Sequence, residues 1–275
     1  MIEQKEAILR LLQDDDAATL RLVKSQLAQA GSAALAELRA LQATADPAAA
    51  LHVRDVIAEI EEREAEQVFV DFCKGFADFG DIEDAAWRLA RTLSPGDGFE
   101  EARALLDSWG AEVARRLPKA RTTLDRVETL AEFLGDEVRL RGNEDDYYNI
   151  NNSLLPEVVE SRLGIPISLS LIYILVGRRA GLHIDGVGLP GHFIVRHREH
   201  FFDPFHGGRH IGLEECRALL ERQSMALSAE HLQPTPPRHM LIRMLANIYS
   251  LSEQSDPPLA AKISDWIEAL RQPRG

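Results

Sequence analysis

Cysteine is scarce in this chain: Cys73 and Cys216 are the only two in 275 residues, far apart and outside any Cys-x-x-Cys context. Neither a disulfide framework nor a paired-thiolate zinc site is therefore expected. Basic residues are also short, with 31 Lys and Arg against 44 Asp and Glu and a formal net charge of −13. A surface that neutralises phosphates needs clustered Lys and Arg, so no nucleic-acid partner is expected. No apolar run approaches the roughly 18 residues that cross a bilayer. The first residues, Met-Ile-Glu-Gln-Lys-Glu, lack the basic-then-apolar order of a secretory signal. No membrane association is expected, and the cytoplasm is the expected location. Gly188, Gly191, Gly207 and Gly208 form neither a dinucleotide fingerprint nor a P-loop, so no cofactor is implied.

What is present suits a folded globular chain. Hydrophobic residues make up 45% and charged residues 27%, which excludes wholesale disorder. Residues 1–66 are rich in Ala, Leu and Glu with helical periodicity. Asp14 to Asp16 can cap a helix over about 17–30 that Gly31 ends, Ser32 starts the next, and Asp46-Pro47 starts a third. This pattern fits either a HEAT-like helix pair or a plain helical hairpin. Further helices are predicted over about 67–79, 82–93 and 99–117, with the loop Ser94 to Gly98 before the last and Pro118 after it. Thr122 with Asp125 reads as a capping box opening a helix to about Arg141. A polar loop, 143–152, precedes a helix over 154–163 and a very apolar one over 166–180. Strands are predicted only at about 184–189, 192–197 and 200–205, and helices return at 212–222, 237–252 and 257–271. The fold class is α+β, predominantly helical with a small late sheet.

The second and third strands carry a candidate base and acid. A two-residue connection at Arg198-Glu199 sets His197 opposite His200 and Ile194 opposite Asp203. His192 and Asp203 then share a face as diagonal neighbours, roughly 7–8 Å apart at Cα, within reach of a His–Asp hydrogen bond. The plainer reading makes His192 a satisfied strand histidine and Asp203 a turn residue before Pro204. In cysteine hydrolases and transferases such a pair activates a Cys at a helix N-terminus.

The stretch Leu155-Pro-Glu-Val-Val-Glu-Ser-Arg-Leu-Gly-Ile-Pro166, with Gly186-Val-Gly-Leu-Pro-Gly-His192 and Phe202-Asp-Pro-Phe-His-Gly-Gly208, resembles the transglutaminase-like superfamily. Within it the chain looks most like the bacterial SirB-type branch, which carries Gly-Ile-Pro-Ile-Ser where catalytic members carry Gly-Val-Cys. The resemblance implies a transglutaminase-like (papain-like) core over 67–210, with small antiparallel sheet. A tetratricopeptide-like tail over 211–275, cut to about one helix pair, would follow, while the N-terminal 60 residues lie outside the resemblance and the HEAT-like region over 1–66 rests on the helical pattern alone. The resemblance implies that His192 stands at the base position, Asp203 at the acid position and Pro166 at the nucleophile position. Proline has no nucleophilic atom. Ser168, about 200° around the helix from Pro166, should face away; Ser170 returns to the same face but roughly 6 Å further along. In the plainer reading, Ser168 is an early-helix hydroxyl bonding backbone and Ser170 a small residue that lets the helix approach the sheet.

Tyr147, Tyr148, Asn149 and Asn152 are expected to line the same pocket or, alternatively, to cap their own loop. His197, His200, His206 and His210 read as surface loop histidines rather than metal ligands, since glycines separate His206 from His210. Cys73, on a stripe with Phe69, Phe72 and Phe76, reads as a buried structural thiol. The expected function is that of a catalytically inactive, regulatory protein-interaction module with protein partners. SirB-type proteins have been named as regulators of virulence gene expression, and a related module occurs in a eukaryotic F-box protein. The alternative is a hydrolase or acyltransferase using Ser170 or Ser168 with His192 and Asp203. Direct DNA-binding regulation is opposed by the charge.

Overall fold

A computed structural model of the protein describes residues 2–13, 16–94 and 99–272. The chain divides into two compact units, Met1–Asp71 and Phe72–Gly275. Asp14, Asp15 and the predicted loop at 95–98 lie outside the described residues.

The first unit holds α1 (Ile2–Leu12), α2 (Ala17–Gln29), α3 (Leu35–Thr44) and most of α4 (Pro47–Gly75). Asp16 caps α2 by accepting from the backbone N–H of Thr19 at 2.9 Å, and Asp46 does the same for α4 through Ala48 at 3.0 Å. Their apolar stripes meet in a core that includes Leu12, Val23, Leu38, Leu41, Val53, Val56 and Ile60. The sequence reading placed a separate helix over 67–79; instead α4 runs unbroken to Gly75, because nothing between Pro47 and Gly75 removes a backbone donor or favours a turn.

The second unit begins with α5 (Ile82–Leu93), α6 (Phe99–Arg116) and α7 (Thr123–Glu132). The Thr122–Asp125 capping box is present at the head of α7. The helix does not reach Arg141 as predicted. It loosens into a π turn over Phe133–Glu137, and Arg139, with φ 65°, reverses the chain. A two-residue strand β1 (Arg141–Gly142) then pairs in parallel with β2 (Leu163–Gly164). Between them α8 covers Leu155–Ser161, shorter than expected because Arg162 takes the left-handed conformation at its end.

α9 (Pro166–Arg179) is apolar nearly all round and is buried from Pro166 to Tyr173, the signature of a central helix. It lies against a four-stranded antiparallel sheet in the order β3 (Asp185–Leu189), β4 (His192–His197), β5 (His200–Asp203), β6 (Arg209–Ile211). β5 stops at Asp203, two residues short of the predicted end, since Pro204 cannot continue the ladder and opens a 3-10 turn over Pro204–His206. β6 was not predicted. α10 (Leu213–Glu221), α11 (Pro237–Ser255) and α12 (Pro257–Arg271) complete the unit, and α11 and α12 pack on one another. Glu83 on α5 ties that helix to α9, accepting from Arg179 Nη2 at 2.6 Å and from Arg178. No helix among the described residues is long and apolar enough to cross a membrane.

Candidate functional site

The β4–β5 hairpin builds the site. Its register pairs His197 with His200, Arg196 with Phe201 and Val195 with Phe202. Continued by one pair, it sets Asp203 opposite Ile194 and makes His192 its diagonal neighbour on the same face. His192 Nε2 and Asp203 Oδ2 are 2.9 Å apart, with side chains only 10% and 2% exposed. The other carboxylate oxygen, Oδ1, accepts the backbone N–H of Phe205 at 3.1 Å, which fixes the plane of the group. Burial pushes the Asp203 carboxyl up, but the hydrogen bonds and charges of His192 and His206 outweigh it, and the group titrates below its ordinary value. Asp203 is thus an anion with both oxygens engaged.

His206 stands half exposed on a turn, as the sequence reading expects, but its tie to the site was not foreseen: Nδ1 lies 2.7 Å from Asp203 Oδ2. The 3-10 turn supplies the reason, since residues i and i+3 eclipse in that geometry and His206 is three residues after Asp203. Gly207 and Gly208, at φ 71° and 77°, then carry the chain back to β6 through a left-handed region open to glycine. His197, expected as a surface loop histidine, is instead buried on β4, with Nδ1 2.7 Å from the carbonyl of His183. His200 and His210 face each other, ring centroids 5.6 Å apart. His192, Asp203 and His206 are, among the described residues, the one group whose ligand atoms converge closely enough to hold a metal ion.

The positions at the head of α9 are firmly accounted for. Pro166 is buried in the first helical turn. Ser168 donates its hydroxyl to the Asn152 carbonyl at 2.6 Å and accepts the Ile165 N–H at 3.1 Å. Ser170, fully buried, points at the Phe193 carbonyl at 3.4 Å. Cys73 and Cys216 are buried, and burial pushes their thiols up to about 12 and about 11.

The aromatic and amide residues before α8 divide. Tyr147 meets Phe205 edge-on at 6.0 Å, and Phe205 in turn meets the His192 ring at 6.1 Å. Tyr148 is 81% exposed and touches Tyr147. Asn149 caps the short 3-10 turn Ile150–Ser153 through the Asn151 N–H at 2.9 Å. Asn152 is buried and donates to the Asp146 carbonyl at 2.6 Å, so both amides serve their loop.

Arg243 on α11 was not foreseen. It donates to the carbonyls of Leu189 at 2.6 Å and of His192, and its guanidinium lies over the Phe193 ring at 5.3 Å. It therefore fastens the turn from which His192 projects. Nothing local in the sequence marks an arginine 51 residues downstream as part of the site.

A sequence signature described as the transglutaminase-like superfamily matches residues 100–246, just over half of the chain and all of the hairpin. The chain belongs to the transglutaminase-like superfamily. A UPF0162 protein of Xylella fastidiosa is 38% identical over 156 residues, 53% of this chain and 56% of that one. A UPF0162 protein of Pseudomonas aeruginosa is 30% identical over 190 residues, 66% of this chain and 67% of that one. F-box only protein 21 of Mus musculus is 30% identical over 140 residues, covering 46% of this chain but only 22% of that protein. The chain thus spans a little over half the length of the Xylella relatives it matches, 56% in each case. No solved structure matches it. In this transglutaminase-like protein the His–Asp pair is hydrogen-bonded and buried, while the hydroxyls nearest Pro166 are directed to backbone carbonyls.

Proposed function

We propose that this protein is a catalytically inactive member of the SirB-type branch, a regulatory protein-interaction module that acts in the cytoplasm on protein partners. The observation that carries the reading is Pro166 at the head of α9, the position where the superfamily resemblance calls for a thiol. A base and its orienting acid accelerate acyl transfer only through a nucleophile that they activate. Ser168 and Ser170 are poor substitutes. Each is buried and directed at a carbonyl, so recruiting either would break that contact and leave the acceptor unsatisfied, at about 1–3 kcal/mol. The alternative, a hydrolase or acyltransferase working through one of these serines, has no observation in its favour that the inactive reading lacks.

Several features support a binding role. The hairpin framework persists without the nucleophile, and helical segments precede and follow it in the sequence, which we read as a HEAT-like region over 1–66 and a tetratricopeptide-like tail over 211–275. The net charge of −13 argues for protein over nucleic-acid partners. A relative named as an F-box protein contains the matching segment as 22% of its length, consistent with a module used inside larger proteins.

The test is to incubate the pure protein with panels of amides, esters and thioesters and with acyl activity probes. No turnover and no covalent labelling are expected. Robust turnover that His192→Ala abolishes would overturn the reading.

A further inference from the structure

The geometry points to a binding site for one late first-row divalent metal ion, with zinc as the reference ion, made by His192 Nε2, Asp203 Oδ2 and His206 Nδ1. The inference goes beyond the loss of the nucleophile and does not rest on it, since none of the three ligands involves Pro166.

The three ligand atoms lie within 4.8 Å of one another, with His192 and His206 at 2.9 Å and 2.7 Å from the same carboxylate oxygen. A tetrahedral ion about 2.0–2.2 Å from each ligand holds them roughly 3.3 Å apart. Both imidazole nitrogens therefore retreat from Asp203 by about half an ångström, and close on each other from at most 4.8 Å by up to about 1.5 Å. The structure leaves room for that adjustment at His206, which is half exposed and followed by two glycines. His192 and Asp203, by contrast, are held: the first by Arg243 on its carbonyl and the second by the Phe205 N–H on Oδ1. The Phe205 contact is of the kind that orients a ligating carboxylate, whereas Arg243 holds only the backbone of His192 and leaves its ring free to adjust.

The donor set selects the ion. Two imidazoles and one carboxylate suit zinc, copper, nickel or iron, whereas magnesium and calcium require oxygen ligands. Three protein ligands also leave the ion at least one open position. Each ligating nitrogen first gives up the proton it directs at Asp203: a neutral ring carries its proton on the other nitrogen instead, and a charged ring releases one proton to solvent, so that its lone pair goes to the ion. Asp203, already ionised, supplies the negative charge.

The test uses the full chain with no purification tag, stripped with a chelator and dialysed. Zn²⁺ is titrated calorimetrically, and Co²⁺ is added separately to read visible ligand-field bands. One equivalent of Zn²⁺ should bind, Co²⁺ should give the bands of a four- or five-coordinate site, and Mg²⁺ should give nothing. His206→Ala, at a half-exposed position, with circular dichroism as the check that the fold is kept, should weaken Zn²⁺ by at least about tenfold, as should Asp203→Asn. His210→Ala, which alters the neighbouring histidine pair, should leave affinity unchanged. Absence of stoichiometric binding would overturn the assignment. So would affinity that survives His206→Ala, or that falls with His210→Ala instead. The readout is binding, so its failure is distinct from any acyl turnover found in the substrate panels.

Discussion

Gly135→Ala should destabilise the protein, although helix propensity alone predicts the reverse. Gly135 lies in the π turn Phe133–Glu137, and replacing glycine inside a helix by alanine ordinarily gains up to about 1 kcal/mol. Here the added β-carbon would stand 2.8 Å from the carbonyl carbon of Gly207, closer still to its oxygen, and 3.4 Å from its Cα. The obstacle is backbone, so no side-chain rotation relieves it. Ordinary carbon–oxygen contacts of about 3.3–3.6 Å require the two segments to separate by roughly 1 Å or more. Because the obstacle is backbone, overpacking here costs the upper part of the usual range, about 2–3 kcal/mol, and after the propensity gain of about 1 kcal/mol the net loss should be about 1–2 kcal/mol. For a unit of this size, Phe72–Gly275, that is a fall in melting temperature of roughly 2–8 °C. Gly207 follows His206, so the same shift should loosen the His206–Asp203 contact. Urea unfolding supplies the free energy, and imidazole NMR resonances of His206 report the site. Gly75→Ala is the control: its β-carbon meets nothing within 4 Å, so it should be neutral or stabilising. If Gly135→Ala raised stability as much as Gly75→Ala does, the close approach of the π turn to the 204–208 turn would be refuted.

Two further outcomes follow from the same reasoning. Glu83, 11% exposed at its side chain, holds Arg178 and Arg179 and also accepts from Trp87 Nε1 at 3.3 Å. Glu83→Gln should cost about 2 kcal/mol at pH 7, below the range for a fully buried pair because Arg178 is half exposed. Burial raises the Glu83 carboxyl, but its arginine and tryptophan partners lower it by more, leaving a depressed value in the folded state. Its stabilisation is therefore full above the ordinary glutamate value of about 4.3 and fades as pH falls below it, so native and variant stabilities should converge at acid pH. Denaturant midpoints between pH 7 and 3 check this, with the exposed pair at Arg88 and Asp84 as control: Asp84→Asn should change stability by less than about 1 kcal/mol. Pro166→Cys should install a thiol whose alkylation titrates below the ordinary cysteine value of about 8.5, through the helix terminus and the His192 imidazole. Cys73 and Cys216, pushed up to about 12 and about 11, give a silent background. An alkylation midpoint that His192→Ala does not raise would contradict the placement of Pro166 at the nucleophile position.

Much of the fold was legible because its signals are local. The Thr122–Asp125 box, the proline that opens α9 and the two-residue hairpin turn each lie within a few residues, and each fixes geometry by itself. What escaped reading was non-local or too short to have a period. β1 and β2 are two residues each, and two residues cannot alternate. α7 carries the apolar repeat of a longer helix, but the π turn and the left-handed Arg139 end it; a lone Gly135 is the only mark of the first and Arg139 is no marker of the second. The late sheet was expected, its fourth strand was not, because Arg209–Ile211 offers one buried position in three.

The candidate site divides along the same line. His192 and Asp203 could be brought together from the sequence since one hairpin register relates them, and a side-chain period of two makes that relation strict. His206 belongs to them only if the chain leaves β5 in a 3-10 turn. Pro204 favours such a turn, since its fixed φ suits the first helical position, so a three-residue spacing after Asp203 carried usable information that a search for helical i,i+4 pairs overlooks. Arg243 had no such handle. A buried arginine ordinarily calls for a carboxylate, yet here it meets carbonyls and the face of Phe193, with burial pulling its pKa down. Its physical logic runs through the fold alone: the turn from Leu189 to His192 presents carbonyls that need a donor, and α11 delivers one from outside the sheet. The orientation of His192 thus depends on a helix that sequence reading assigns to the tail.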